Sequence, residues 1–542
     1  MLRPRLLQDL IRKQAEARPW ATAIIAHGQR LTYGELEAAS NRLARLLRAA
    51  GCRAGERVTL LAPKSAPAIV GLIGIYKADA IAVPLDPSSP ANRLDRILEA
   101  CQSHWLLAAS ANGPLVDELS ETRDGRRSLV VGSLDRRPLE GAGHQAAFTL
   151  DDVAAYSSEP VMSRNDDDDP AHILFTPGSA GTPKGVIVTH ANVMRFVDWA
   201  TEHFRMNAGD RLSGHSPLHL DLSFFDLFGG AAVGAELHLV PPELNVLPDR
   251  LAEFIRGREL TQWFSMPSLL NYMAKFDVID AHDFPALKRV IWAGEILPTP
   301  ALMHWMRQLP HVTFTNLYGQ AEGTIASCYF TVPACPVDPQ ATIPIGTPCA
   351  GEELLVLDDR LQPVPAGQPG DLYLAGVGLA RGYWNDPERT AAAFLHHPAR
   401  PSEWMYKTGD VAKVGEDGLF YFLGRGVAQA GGRSARLELS DIEAAVNAVP
   451  EVIESAVLAL PADGESEDVT VCCAYVPVAG SGSKPASIGA ALSRIIPKEL
   501  IPARWLCLTE FPVDANGKID RSRLRDAFTA RLGVAGLEWS GT

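Results

Sequence analysis

Residues 173–186 read Ile-Leu-Phe-Thr-Pro-Gly-Ser-Ala-Gly-Thr-Pro-Lys-Gly-Val. An apolar run typical of a buried strand leads into a loop of glycines and hydroxyl side chains, and a second apolar run follows. Glycine lets backbone N–H groups wrap an anion, the hydroxyls add donors, and Lys184 adds a positive charge. The stretch predicts a phosphate-binding loop, with a surface hairpin as the alternative. Because Gly185 follows Lys184, it is not the P-loop of other nucleotide-binding enzymes.

The stretch resembles the Thr-Ser-Gly-Thr-Thr-Gly-x-Pro-Lys-Gly loop of adenylate-forming enzymes. These are the acyl-CoA ligases, the luciferases and the amino-acid adenylation domains of nonribosomal peptide synthesis. Pro177 stands where the family usually has Ser, and Ala180 where it usually has Thr. The resemblance implies that the loop binds the phosphates of ATP. The residues so implicated are Thr176, Gly178, Ser179, Gly181, Thr182 and Lys184.

Length and composition limit the classes of protein to consider. A chain of 542 residues with 46% hydrophobic and 21% charged residues is globular, with two or more domains expected. Its net charge of −14 argues against wholesale binding to nucleic acid or to an anionic membrane. The eight cysteines show no metal-ligand spacing. Residues 1–20 predict an amphipathic helix rather than a secretory signal, and no apolar run spans a bilayer. We therefore expect a cytoplasmic protein.

The alternation of strand and helix patterns predicts the fold class. Strands at 58–62 and 80–83 flank a helix at 66–78, which is typical of an α/β fold with parallel-rich sheets covered by helices. Near residue 424 the periodicity is lost, and a fresh alternation begins after it. The predicted units are a large N-terminal domain, a hinge and a small mobile α+β domain. They cover residues 1–426, 427–434 and 435–542.

A second family motif follows a predicted strand at 312–314. Residues 316–322 read Asn-Leu-Tyr-Gly-Gln-Ala-Glu and resemble the family's Asn-x-Tyr-Gly-Pro-Thr-Glu. The resemblance implies that Tyr318 packs on adenine and that Glu322 is catalytic and holds Mg²⁺. Gln320 and Ala321 depart from the pattern, and the missing Thr hydroxyl would normally touch the α-phosphate. Three further residues of the implied ATP site are Gly294, Asn316 and Gly319.

Residues 406–410, Tyr-Lys-Thr-Gly-Asp, match the family fully. The match implies that Asp410 accepts hydrogen bonds from both ribose hydroxyls, for which a carboxylate has enough acceptor sites. Phe422 and Arg425 continue the match, with Arg425 expected near ribose and phosphate. The hinge then departs from the family, with replacements at three positions. These are Val427, Gly431 and Ser434.

Residues 514–521 contain Asn-Gly-Lys-Ile-Asp-Arg, another family motif. An Asn-Gly pair beside a Lys is on its own an ordinary turn. In this series of motifs the resemblance implies that Lys518 is the catalytic cation, which bridges the substrate carboxylate and the α-phosphate. A preorganised charge of this kind contributes on the order of 10²–10³ in rate.

The substrate is indicated by residues 219–226, His-Leu-Asp-Leu-Ser-Phe-Phe-Asp. A carboxylate in so apolar a stretch needs a partner, either a structural Arg or the ammonium group of a bound substrate. In amino-acid adenylation domains the matching aspartate, here Asp221, holds the substrate α-amino group. The family's pocket positions give an apolar lining between Asp221 and Lys518. They are Leu222, Phe225, Phe264, Ile291, Ala293, Leu317, Ile325 and Ala326.

Such a lining favours a small apolar amino acid, with proline or alanine first, and resembles that of stand-alone prolyl adenylation enzymes. Nothing after Arg521 resembles a carrier domain. The resemblance therefore implies ATP and Mg²⁺ as cofactors and a separate carrier protein, whose phosphopantetheine thiol accepts the aminoacyl group. One alternative is an acyl-CoA or aryl-CoA ligase, which lacks the amine-binding aspartate. The other is a catalytically weakened binding protein, suggested by the departures from the family pattern.

Overall fold

A computed structural model describes most of the chain. The described residues are 5–122, 129–139, 146–176, 183–425, 442–443, 446–447, 449–461, 469–478, 484–493, 501–512 and 519–532. The strands, in chain order, are β1 (Thr22–Ala26), β2 (Gln29–Thr32), β3 (Arg57–Leu61), β4 (Ile81–Leu85), β5 (Trp105–Ala108), β6 (Val130–Ser133), β7 (Pro170–Thr176), β8 (Lys184–Thr189), β9 (Arg211–Gly214), β10 (Glu236–Leu239), β11 (Gln262–Ser265), β12 (Arg289–Ala293), β13 (Thr313–Tyr318), β14 (Cys328–Thr331), β15 (Thr347–Pro348), β16 (Glu352–Leu357), β17 (Gly370–Gly376), β18 (Phe394–His396), β19 (Trp404–Val414), β20 (Phe420–Arg425), β21 (Val452–Pro461), β22 (Val469–Pro477) and β23 (Arg504–Cys507).

Helices separate most of the strands. The α-helices are Leu7–Ala17, Tyr33–Ala49, Ala66–Lys77, Ala91–Ala100, Gly113–Thr122, Leu150–Ala154, His190–His203, Leu222–Phe224, Gly230–Val233, Pro248–Gly257, Pro267–Lys275, Thr299–Gln308, Pro387–Ala393, Pro485–Leu492 and Arg521–Leu532. Short 3₁₀ turns cover Ser110–Asn112, Pro242–Val246 and Ala321–Gly323, and a π-helical turn covers Phe225–Gly229. Among the described helices, not one has both the length and the apolar character needed to cross a membrane.

Two large sheets carry most of the N-terminal part. The six-stranded sheet has the order β6-β5-β3-β4-β7-β8 and is parallel except for the β7–β8 hairpin. The nine-stranded sheet has the order β15-β14-β13-β12-β11-β9-β10-β1-β2, parallel from β13 to β1 and antiparallel at both ends. These sheets confirm the predicted α/β class, since parallel strands need helices as crossover connections.

Two smaller sheets complete the described chain. β16 to β20 form an antiparallel five-stranded sheet, which the sequence did not predict. β21, β22 and β23 form a three-stranded sheet in the smaller C-terminal part, where Leu524 and Phe528 of the last helix pack on one face. Ile488 and Leu492 pack in a separate cluster with Val457. The smaller α+β C-terminal domain is thus confirmed, while the predicted hinge, 427–434, lies outside the described residues and its boundaries stay predictions.

Local signals explain where the first elements begin. Leu7, Leu10 and Ile11 form the buried stripe of the predicted N-terminal amphipathic helix. The Thr32 hydroxyl accepts a hydrogen bond from the backbone N–H of Glu35 at 3.2 Å, and the Glu35 carboxylate accepts one from the Thr32 N–H at 2.8 Å. This reciprocal pair is a capping box, and Thr32 is the N-cap of the helix Tyr33–Ala49.

Candidate functional site

The candidate residues collect where parallel strands of the nine-stranded sheet end, the place where α/β sheets bind ligands. β12 ends at Ala293 and is followed by Gly294, which has a φ of +91° that favours glycine. β13 ends at Tyr318 and is followed by Gly319. The strand predicted from the sequence ends at Phe314. The structure extends it by four residues because Thr315 to Tyr318 continue to pair with β14.

Strand register brings four of the predicted pocket residues to one face of the sheet. Phe264 pairs with Ile291, and Ala293 pairs with Leu317, across the parallel strands β11, β12 and β13. Side chains alternate between the faces of a strand, so these four share a face. The intervening residues Trp263, Val290, Trp292 and Phe314 pack in a separate core on the other face.

The remaining lining residues pack against the same face. Phe225, in the π-helical turn, meets Phe264 edge to face with 5.4 Å between ring centroids, and both rings are fully buried. Leu222, Ile325 and Ala326 lie in the same hydrophobic cluster. The structure thus gathers all eight predicted apolar lining residues into one buried cluster.

Asp221 directly precedes this cluster, at the start of the short helix Leu222–Phe224. It is half-buried, and its backbone carbonyl accepts a hydrogen bond from the N–H of Phe224 at 2.9 Å. The aspartate is therefore placed by the first turn of the helix, one residue before the apolar lining begins.

Glu322 forms the centre of a charged cluster that closes one side of the site. Its carboxylate is only 3% exposed. The Lys184 ammonium lies 2.7 Å from its Oε1, and the Tyr383 hydroxyl donates to the same oxygen at 2.7 Å. Burial alone would raise the pKa of Glu322, but the Lys184 charge and these hydrogen bonds outweigh it and bring the pKa below its ordinary value. Glu322 is therefore a carboxylate at neutral pH.

This carboxylate suits Mg²⁺, which takes oxygen ligands and is commonly held by one or two carboxylates together with substrate phosphates. Within the described ranges there is no group of three or more His, Cys, Asp or Glu side chains arranged to hold a metal ion. Glu322 thus fits a magnesium ion that is shared with a phosphate ligand.

Asp410 forms a second polar cluster. Its Oδ2 accepts hydrogen bonds from the Tyr318 hydroxyl at 2.5 Å and from the Gln320 amide at 2.8 Å. Asp410 lies in β19, so these bonds join the five-stranded sheet to the end of β13. The Tyr318 ring also lies 6.1 Å from Phe422, at a tilt of 39°. Three residues that the sequence assigned to nucleotide binding, Tyr318, Asp410 and Phe422, are therefore neighbours.

Asn316 is placed differently from this group. Its side-chain amide is buried and donates to the Pro344 carbonyl at 3.0 Å. This bond ties β13 to the segment before β15. The contact seen for Asn316 in the structure is thus internal to the protein.

The turn between Tyr318 and Ala326 is unusually tight. A Cβ atom on Gly319 would lie 2.5 Å from the Ala326 Cα and 2.7 Å from the Ile325 carbonyl oxygen, which are backbone atoms. Thr324 and Ile325 both adopt left-handed φ values, +57° and +70°, although neither is glycine. The Thr324 hydroxyl donates to the Gly378 carbonyl at 2.7 Å. The turn is therefore held by its surroundings, and it points Ile325 and Ala326 into the apolar cluster.

Several predicted residues cannot be placed. Gly178, Ser179, Gly181, Thr182 and Lys518 lie outside the described residues. The two residues that border the phosphate loop, Thr176 and Lys184, face each other in the β7–β8 hairpin. Arg425 faces Asp410 in the register of β19 and β20. The functional roles of all these residues stay predictions.

Sequence reasoning gave no role to three residues that complete the polar clusters: Gln320, Tyr383 and Tyr406. Gln320 and Tyr406 stand in quoted motifs. For the two tyrosines a chemical signal was available, since a tyrosine hydroxyl that is buried with its ring needs a hydrogen-bond partner.

Comparisons with known proteins identify the family of the chain. A family model described as AMP-binding enzyme matches residues 11–384. The chain belongs to the AMP-binding enzyme family. The match covers the two large sheets, the Glu322 cluster and the apolar lining, and it ends before Asp410. Adenylate-forming chemistry, with ATP as the nucleotide, follows from membership.

Curated relatives of this AMP-binding enzyme are longer proteins. It is 33% identical over 519 residues to bacitracin synthase 1 of Bacillus licheniformis, a match that covers 96% of this chain and 9% of that protein. It is 33% identical over 532 residues to surfactin synthase subunit 2 of Bacillus subtilis (strain 168), covering 97% of this chain and 14% of that protein. The chain spans less than one sixth of the length of either relative.

Solved structures match the AMP-binding enzyme over its whole length. The crystal structure of IdnL7 is similar with a TM-score of 0.79 at 27% identity, covering 97% of this chain and 99% of that one. The anthranilate CoA ligase AuaEII, solved in complex with anthranoyl-AMP, has a TM-score of 0.86 at 22% identity and coverages of 98% and 99%. At that identity the second match shows the fold alone.

Proposed function

We propose that this AMP-binding enzyme is an amino-acid adenylation enzyme. It activates a small apolar amino acid, proline or alanine first, as aminoacyl-AMP and passes the aminoacyl group to the phosphopantetheine thiol of a carrier. The observation that carries the proposal is that the eight apolar lining residues lie together in the buried core next to Asp221, at the same sheet edge as the Glu322 and Asp410 clusters.

The nucleotide end of the site uses the two polar clusters. Asp410 accepts hydrogen bonds from the ribose hydroxyls, and the Tyr318 ring packs on adenine. Lys184 and the 177–182 loop bind the phosphates. Glu322 would hold Mg²⁺ against those phosphates. When bound, Mg²⁺ supplies positive charge that offsets the charge developing on the phosphate oxygens.

The amino-acid end uses one charge at each side of the apolar lining. Asp221 pairs with the α-ammonium group, and Lys518 approaches the carboxylate. A carboxylate oxygen attacks the α-phosphorus, a P–O bond forms, and the bond to the β-phosphate oxygen breaks to release pyrophosphate. In the second step the carrier thiol loses its proton and its sulfur attacks the acyl carbon. The acyl–oxygen bond then breaks, and AMP leaves.

The packing of the lining supports a small substrate. The fully buried Phe225 ring packs against three other rings. Its centroid lies 5.4 Å from that of Phe196, 5.9 Å from that of Phe204 and 5.4 Å from that of Phe264. Rings packed in this way leave little room for a long side chain. Apolar pockets discriminate by only about 1–3 kcal/mol per methylene, so we expect some breadth among small amino acids.

The proposal is tested by amino-acid-dependent exchange of labelled pyrophosphate into ATP, measured with each common amino acid. Strong exchange with proline or alanine is expected. Exchange only with a large or polar amino acid would contradict the assigned lining but keep the chemistry. AMP binding without exchange for any amino acid would instead support the weakened binding protein.

An acyl-CoA or aryl-CoA ligase is the second candidate, since AuaEII, an anthranilate CoA ligase, shows that the same fold also serves that class of enzyme. Replacing Asp221→Asn separates the two functions. An amino-acid adenylation enzyme should lose roughly 10–100-fold in kcat/KM, because the substrate ammonium loses its charged partner, whereas a ligase that acts on a plain acid should be unaffected. The exposed Asp167→Asn serves as the control and should leave exchange unchanged.

A further inference from the structure

The side-chain amide of Gln320 makes three hydrogen bonds. Its Oε1 accepts from the Tyr406 hydroxyl at 2.9 Å. Its Nε2 donates to the Asp410 carboxylate at 2.8 Å and to the Thr408 carbonyl at 3.2 Å. An amide has two N–H donors, so both donors of this group are in use.

These bonds also fix which way round the amide lies. The Thr408 carbonyl and the Asp410 carboxylate can only accept, so they select the NH₂ group, and the amide oxygen faces the Tyr406 hydroxyl. Burial raises the pKa of Tyr406, and the neighbouring Glu322 and Tyr383 raise it further, so this hydroxyl keeps its proton. Thr408 is fixed in turn, because its hydroxyl donates to the Leu372 carbonyl at 2.7 Å.

Gln320 and Tyr318 donate to the same oxygen of Asp410. Two donors that converge from the end of β13 and the turn after it hold this oxygen in place. The family pattern quoted above has Pro where this chain has Gln320, and a prolyl ring has no side-chain donor. The bond from Gln320 therefore belongs to this chain's own sequence.

We infer that Gln320 is a positioning residue, which holds the Asp410 carboxylate in the orientation that receives the nucleotide ribose. The inference rests on the proposed function, in which Asp410 takes the ribose hydroxyls. Because a preorganised acceptor loses no free energy to reorientation when the ligand arrives, removing Gln320 should weaken the ribose contact specifically.

The test compares AMP, 2′-deoxy-AMP and 3′-deoxy-AMP by titration calorimetry, which needs neither turnover nor metal. The proteins are the wild type, Gln320→Ala, Gln320→Glu and the surface control Gln362→Ala. We expect Gln320→Ala to weaken AMP binding roughly 10-fold, the loss typical of a hydrogen bond to a charged group. The deoxy nucleotides already lack one ribose contact, so their affinities should differ by no more than about 2-fold between the wild type and Gln320→Ala.

Gln320→Glu keeps the side-chain volume and the acceptor for Tyr406 but places a second carboxylate against Asp410. Like Gln320→Ala, it should reduce the ratio of the affinity for AMP to the affinity for either deoxy nucleotide. If the alanine variant does not fold, this variant tests the inference in its place. Equal weakening of all three nucleotides in both variants would overturn the inference. A wild type that binds none of them would overturn the proposed function instead.

Discussion

Gly319 is a residue that no other amino acid can replace without moving backbone. Because the added Cβ of Gly319→Ala would overlap the backbone of Ile325 and Ala326, the turn must shift, at a cost of about 1–3 kcal/mol in the free energy of unfolding. The shift displaces Tyr318 and the Glu322 turn, so we expect amino-acid-dependent exchange to fall by up to about 100-fold. Urea unfolding and pyrophosphate exchange measure the two effects.

The matched control is Gly257→Ala, at the end of a helix, where an added Cβ meets no atom within 4 Å. Its stability should equal or exceed that of the wild type, because alanine restricts the unfolded chain more than glycine does. If Gly319→Ala behaved like this control, the described turn would be wrong.

At the residue scale, the sequence identified charged groups better than their partners. Glu322 and Asp410 stand in family motifs that could be matched one by one. Tyr383, which lies 61 positions from Glu322 in the chain, was not assigned as the partner of Glu322. Local sequence carries no record of which distant side chains meet, and the hydroxyl of a tyrosine shows its role only when its neighbour is known.

At the element scale, one buried carboxylate joins three strands of the nine-stranded sheet. Asp210, fully buried just before β9, accepts hydrogen bonds from Arg289 at 2.7 Å, from Lys288 at 2.8 Å and from Thr261 at 2.9 Å. These partners lie at the starts of β11 and β12, the strands that carry Phe264 and Ile291. Asp210 therefore holds the strands of the apolar lining in register.

Asp210→Asn should lower the free energy of unfolding by about 3 kcal/mol at pH 7, because it leaves the buried Arg289 without its charged partner. Burial would raise the pKa of Asp210, but its bonds to Lys288 and Arg289 outweigh burial and lower the pKa. A lowered folded-state pKa gives stability that is present above the unfolded pKa, about 3.9, and is lost as the pH falls through the folded value.

The difference between wild type and Asp210→Asn should therefore be constant from pH 6 to 8 and shrink below about pH 4. Urea unfolding across this range measures it, with the exposed Asp167→Asn as a control that changes stability by less than about 0.5 kcal/mol. A difference that persists unchanged at pH 3 would contradict the assigned role.

Elements with strong local periodicity were predictable, while their arrangement was not. The strand–helix–strand unit predicted at 58–83 appears as β3, a helix at 66–77 and β4. The antiparallel sheet of β16 to β20 was missed, because strand pairing depends on register between distant segments and not on the period within one segment. The same limit explains β13, whose last residues resemble a loop motif but are paired on both sides.

At the scale of the whole molecule, a half-buried lysine links the two large sheets. Lys64, after β3 of the six-stranded sheet, donates to the carbonyl of Ser216, after β9 of the nine-stranded sheet, at 2.9 Å. Its charge also acts on Asp226, which is fully buried next to Phe225. Burial lowers the pKa of Lys64 to about 8 and raises that of Asp226 well above its ordinary value, and each charge opposes the shift of the other.

Lys64→Met should destabilise the protein by roughly 1.5–3 kcal/mol, since it removes the charged hydrogen bond to the Ser216 carbonyl and the positive charge near Asp226. Asp226→Asn should cost less, because an amide is cheaper to bury than a carboxylate. The double variant should be more stable than the sum of the two single losses predicts, as measured by a double-mutant cycle in urea. Simple additivity would show that the two side chains do not interact.

The left-handed turn at Thr324 and Ile325 has a consequence for how this sequence can drift over generations. Each such conformation in a residue other than glycine costs on the order of 1–3 kcal/mol, and a β-branched side chain is among the least tolerant of it. Glycine or asparagine would relieve that cost but would remove Ile325 from the apolar lining. Gene copies that are no longer selected for catalysis should therefore replace Thr324 and Ile325 early, whereas selection for catalysis should retain both residues.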